Sequence, residues 1–170
     1  MRHLDQIYRH GVGPRGVPCG DCFRTCLAML LDAPDPEYVP HFVDMTMGMR
    51  RGGYHTQRLA RQWLRDEYGL DLVSVRAEDL PSVPFIADVA SARHFVVMSW
   101  DGSVYADPNP DRRTDPPFTR SDVSLWLGLV LPYEPNPDAA QRIFEWNGGH
   151  IDDAWPSEFQ VVMPPGAQVT

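Results

Sequence analysis

HFVVMSWDGSVYAD, residues 94–107, is two strand-like runs joined by an Asp-Gly pair at 101 and 102. Asp-Gly is a favoured two-residue turn because both residues tolerate positive φ, so the stretch predicts an antiparallel hairpin. With Asp101 and Gly102 as the loop, Trp100 pairs with Ser103, and positions whose numbers sum to 203 face each other. His94 then lies opposite Asn109, and Asp107 is its diagonal neighbour on the same sheet face, about 7–8 Å away between backbones. One hairpin thus offers an imidazole with a carboxylate, or alternatively an amide, to orient it. A histidine at a strand start is also ordinary polar surface, and Asp-Pro-Asn-Pro is an ordinary turn. The pair gains meaning only from what the rest of the chain brings to it.

Working outward, LDLVSV near 70–75 and VPFIADV near 83–89 read as further strands, and DVSLWLGLVL near 122–131 fits helix or strand. Ahead of them lie two helical patterns. Phe23, Cys26, Leu27, Leu30 and Leu31 fall at i, i+3, i+4, i+7 and i+8, which predicts a helix from Cys22 to Leu31, stopped by the prolines of DAPDPEYVPHF. A second helix is expected from Tyr54 to Tyr68, with Leu59, Trp63 and Leu64 as its apolar stripe, arginines on the other side and Gly69 at C′. Helices first and an antiparallel sheet after them make an α+β domain. The first twenty residues, rich in Gly and Pro, read as a looping arm. Beyond Pro132, PYEPNPDAAQ reads as a linker to a short appended element. The expected division is therefore a domain over 1–132 and an extension over 133–170 that packs on it.

Composition narrows the function classes. A chain of 170 residues is long enough to bury its own core. A formal net charge of −8 argues against nucleic-acid or anionic-membrane partners, which need a basic surface. No apolar run approaches a membrane span or a signal-peptide core, so a cytoplasmic location is the expectation. All 15 basic residues are arginine; a GC-rich genome explains this, and so would escape from lysine-targeted tagging.

The three cysteines, 19, 22 and 26, lie within eight positions. In such a chain they are expected to be reduced. Cys22 opens the first helix, where unpaired backbone N–H groups and the positive end of the helix dipole favour a thiolate. That is an address for a nucleophile. Cys26 falls in the apolar stripe and reads as a small buried thiol. A nucleophile at a helix start, a base (His94) on a strand and an orienting group one strand over are the parts of a Cys–His–Asp/Asn arrangement.

Two blocks carry a resemblance. LDQ at 4–6, GDCFRTCLAMLL at 20–31 and VPHF at 39–42 form the first; FIADVASARHFVVMSWDGSVYADPNP at 85–110 forms the second. Their order resembles a family of small papain-fold cysteine peptidase-like proteins of phage and bacterial genomes, akin to the bacteriocin-processing type. The resemblance implies a papain-like fold, with the nucleophile helix packed on an antiparallel sheet. It implies Cys22 as nucleophile, His94 as general base, Asp107 as orienting acid and Gln6 as side-chain donor to the oxyanion; the hairpin register leaves Asn109 as the alternative orienting residue. It implies a peptide or protein substrate, no metal and no organic cofactor. Gln6 lies sixteen positions before Cys22, so the intervening loop must fold it back. SARH stands where the family usually carries a proline-glycine turn.

The implied activity is peptide or isopeptide hydrolysis; amidase, deamidase or transamidase action uses the same parts. Two rival classes stand beside it. One is a non-catalytic protein on the same fold that masks a host protein. The other is a dithiol redox protein using Cys19 and Cys22, although residues 8–18 make a poor strand ahead of the motif. A zinc site lacks a second Cys/His cluster. His41 is expected to cap or pack, and His55 to lie on the surface.

Overall fold

A computed structural model describes residues 1–9, 20–50, 52–76 and 83–130. Cys19, His150, the linker and the extension over 133–170 fall outside the described residues. Three α-helices precede or flank a five-stranded antiparallel sheet, so the chain is α+β.

Helix α1 spans Cys22–Leu30. It ends through Asp32, which takes the left-handed conformation (φ 54°), not through the prolines. The Ala33 amide donates to Ala28 O at 2.9 Å and the Asp32 amide to Met29 O at 3.1 Å, the paired bonds of a Schellman stop. Pro34 comes only after the stop. The proline-rich stretch instead holds a 3-10 turn over Pro36–Tyr38 and a short helix α2, Phe42–Thr46, that the apolar pattern does not reveal.

Helix α3 runs Gly52–Tyr68 and stops at Gly69, whose φ of 63° suits a residue without Cβ. Its buried face differs from the expected stripe: Ala60 and Leu64 turn inward, while Leu59 is 36% exposed. Nor do all the arginines cover the outer side. Arg61 is buried and binds the buried Asp71 carboxylate through Nε (2.9 Å) and Nη2 (2.8 Å), tying α3 to the first strand.

The strands are β1 (Asp71–Val75), β2 (Phe85–Val89), β3 (His94–Met98), β4 (Val104–Ala106) and β5 (Leu125–Val130), in the order β1-β5-β2-β3-β4. The ambiguous run near 122–131 is thus an interior strand, buried from both sides, which explains its lack of alternation. One sheet face (Ile86, Val97, Leu127) packs with Phe23, Cys26 and Leu27 of α1. The other face buries Phe85, Val96, Met98 and Trp126. A T-shaped contact between Phe23 and Phe95, with centroids 5.1 Å apart, sets α1 against β3.

The hairpin keeps its expected ends by another route. Ser99 N donates to Ser103 O (2.9 Å) and Gly102 N to Ser99 O (2.9 Å), so three residues, not two, make the loop. Met98 faces Val104, but Val97 faces Ala106. Tyr105 is therefore an extra residue, a bulge that restores the expected register just before Asp107.

Candidate functional site

Cys22 is the first residue of α1, preceded by Asp21 at the N-cap. Asp21 does not cap the helix with its side chain. Its fully buried carboxylate turns back to the N-terminal arm instead. It accepts from Tyr8 N at 2.9 Å and Ile7 N at 3.3 Å, and it pairs with Arg24 at 2.8 Å. The arm is held on its other side as well: Gln6 N donates to Pro108 O at 2.8 Å, and Arg113 pairs with Asp5. These bonds fold Gln6 back beside Cys22, and both line one cleft of about 410 Å³ together with His94 and Asn109.

The Gln6 amide makes no hydrogen bond among the described residues, and its Oε1 is enclosed without a partner. Buried polar atoms are nearly always satisfied, so the unpaired Oε1 at the cleft wall is acceptor capacity open to a donor that enters, while Nε2 of the same amide is the group able to donate to an anion. The sequence reading named Gln6 but missed Asp21. An Asp directly before a helix reads as a cap, and the long-range amides that claim it have no local pattern.

His94 opens β3 at the end of the sheet and is 7% exposed. Its Nε2 lies 2.7 Å from Asp107 Oδ1, and the ring lines the same cleft as Cys22, close enough for the thiol to raise its pKa. Burial alone would lower the imidazole pKa. The Asp107 hydrogen bond, the Cys22 hydrogen bond and the charges of both partners outweigh it and raise the ring to about 9. Asp107 is the mirror case. Burial would raise its carboxyl, yet the bond from His94, the 2.9 Å bond from Asn109 N, the imidazolium charge and Arg112 lower it. Arg112 approaches Oδ2 at 3.4 Å and lies over the Phe118 ring at 4.0 Å, fixed from both sides.

Asn109 is not the orienting residue. Its side chain accepts from Asp111 N at 3.0 Å at the start of the next 3-10 turn, and it serves His94 only by giving its backbone N–H to Asp107. Cys26 is fully buried; burial, then the negative charges at Cys22 and Asp107, push its thiol well above the usual range. His41 caps α2, accepting from Asp44 N at 3.3 Å, and stacks on Tyr8. His55 is half-buried rather than on the surface, edge-on to Tyr54. At SARH the chain makes a 3-10 turn over Ala90–Ala92, and Arg93 takes the left-handed conformation (φ 50°) that a glycine would occupy without strain.

The arrangement can deprotonate a thiol, hold the resulting imidazolium and offer an amide to a developing negative charge. Among the described residues no group of three or more His, Cys, Asp or Glu could hold a metal ion, and no helix is long and apolar enough to cross a membrane. Comparison with protein-family models, with curated proteins and with solved structures finds no match.

Proposed function

We propose that this protein is a papain-like thiol hydrolase that cleaves an amide bond of a peptide or protein substrate. The observation that carries the reading is one buried imidazole bonded to a carboxylate at 2.7 Å through Nε2 and sharing a cleft with a helix-start thiol. A nucleophile helix lying against the strand that bears the base supports the papain-like architecture.

The chemistry follows from proton positions. His94, raised to about 9, holds its second proton at neutral pH, and the reactive form in this proposal is the Cys22 thiolate beside that imidazolium. The Cys22 sulfur attacks the carbonyl carbon, and the oxyanion that forms takes hydrogen bonds from the Gln6 amide and the Cys22 backbone N–H, a helix-start donor with no intrahelical partner. His94 Nδ1 gives its proton to the leaving amine, and the C–N bond breaks to leave a thioester. His94 then takes a proton from water, whose oxygen attacks the thioester; the C–S bond breaks, the acid departs and the thiolate–imidazolium pair is restored. Asp107 holds the ring through Nε2 at every stage.

Iodoacetamide alkylation, read by intact mass and peptide mapping between pH 6 and 7, tests the reading. Cys22 is expected to react at least about ten-fold faster than a free thiol of ordinary pKa. Cys26 is expected to stay unmodified in the folded protein, and His94→Ala to abolish the advantage. A Cys22 no faster than a free thiol favours the non-catalytic binder and ends the proposal.

A further inference from the structure

The cleft at Cys22 continues into a second cavity of about 320 Å³, since Phe23, Val43, Met47 and Phe95 line both. Beyond those four, the described residues of its wall are uncharged ones such as Met49, Thr56 and Leu127, and a single charged one, Asp88.

Asp88 breaks the pattern of its strand. Alternation along β2 puts Ile86 and Asp88 on the sheet face that packs toward α1. The cross-strand neighbours of Asp88 are Phe95 on β3 and Leu125 on β5, both apolar. Its backbone carbonyl accepts from Ser124 N and Oγ, each at 2.9 Å. Its half-buried carboxylate, by contrast, has no hydrogen bond or ion pair among the described residues. Burial raises its pKa, and no cation among the described residues offsets that. A carboxylate taken partly out of water costs free energy unless something supplies the counter-charge. Among the described residues the cations of the cleft, Arg93, His94 and Arg112, line only the part that holds Cys22.

Resting on the thiol-hydrolase reading, we propose that this cavity is the specificity pocket and receives a basic side chain of the peptide substrate, arginine in preference to lysine. The apolar walls cover the aliphatic stem, and Asp88 pairs with the head group. Arginine is preferred because its planar fork matches a carboxylate with two parallel hydrogen bonds and gives up water more readily than an ammonium does. Its flat face also suits a pocket walled by Phe23 and Phe95.

The full chain is incubated with a proteome-derived peptide library, and residues on both sides of every cleaved bond are read by mass spectrometry. Arginine should be enriched on the order of ten-fold at one fixed position within three residues of the cleaved bond, the size of effect that a desolvated charge pair gives. Asp88→Asn should remove the enrichment, and Asp88→Glu should restore part of it. Thermal unfolding controls for folding, and Asp88→Asn is expected to be at least as stable as wild type because it deletes an uncompensated charge. Cleavage without basic preference, or a preference that Asp88→Asn leaves intact, overturns this inference and leaves the thiol-hydrolase reading standing. No cleavage of any peptide also overturns it; if Cys22 is then no more reactive than a free thiol, the parent reading falls too.

Discussion

Asp107→Asn is the substitution that interrogates the site most directly. His94 stands at about 9 against an ordinary 6.5, and the Asp107 hydrogen bond is the largest of the influences that raise it. That gap corresponds to roughly 3 kcal/mol of preference for the imidazolium, at about 1.4 kcal/mol per pH unit. Asparagine keeps an oxygen for Nε2–H but removes the negative charge, whereas the Cys22 contribution remains. The His94 pKa is therefore expected to fall by about 1–2 pH units. The assay is an NMR titration of ring-labelled histidine, with His94 assigned from the spectrum of His94→Gln. Stability should follow with a definite sign. A group whose folded pKa is raised stabilises fully below its unfolded value of about 6.5 and loses that contribution as pH rises through about 9. Asp107, lowered in the folded state, contributes above about 3.8 and loses its share as pH falls through its folded pKa. Denaturant unfolding of the wild type should weaken between pH 6.5 and 9, and in Asp107→Asn that loss should be smaller and complete at lower pH. A wild-type His94 that titrates near 6.5, or one whose titration Asp107→Asn leaves in place, would refute the electrostatic account.

Gln6→Ala should lower kcat by about 10²–10³-fold, as loss of an oxyanion donor does. Cys22 alkylation and thermal stability should be unchanged, because the amide has no internal bond to lose. Asp21→Ala should cost about 3–5 kcal/mol in denaturant unfolding, since it strips the buried Arg24 of its carboxylate and releases two arm amides. Arg93→Gly should stabilise by about 0.5–1 kcal/mol, measured the same way: relief of left-handed strain exceeds the added entropy of an unfolded glycine. Its His94 titration should match wild type.

What was legible in the sequence was whatever a short period encodes. The stripe from Phe23 to Leu31 places α1 within a residue, and Gly69 marks the end of α3 because a left-handed stop there has one cheap occupant. The turn chemistry located the hairpin but not its loop. Asp-Gly suits both a two-residue turn and a three-residue loop ending in a left-handed glycine, and only the bulge at Tyr105 distinguishes the outcome. On α3 the large Leu59 drew the stripe one position away from the small Ala60 that α3 buries. Arg61 could not be read as interior because its partner, Asp71, lies ten residues on, in the next element. The Cys22–His94–Asp107 cluster was reachable because two of its members share a hairpin. The fold-back of Gln6 was not derivable from local pattern, since the bonds that hold it run to Asp21 and Pro108.

Two aspartates flank that site with different partners. Asp107 faces a titrating ring, so its charge sets where a proton resides; Asp21 faces backbone amides and an arginine, so its charge sets where a chain segment lies. The division follows from their neighbours' chemistry. Amides and guanidinium do not titrate near neutrality, so the Asp21 cluster holds its geometry over the range in which His94 changes charge. Gln6, tied to the first cluster, therefore keeps its place while His94 changes charge. The proposed acyl transfer would need that arrangement, because an oxyanion donor must already be in position when the imidazole moves between acid and base. Replacing Asp21 should thus depress turnover without moving the His94 titration, and replacing Asp107 should move the titration without freeing the arm. A variant set in which both effects always appear together would mean that the two clusters are one.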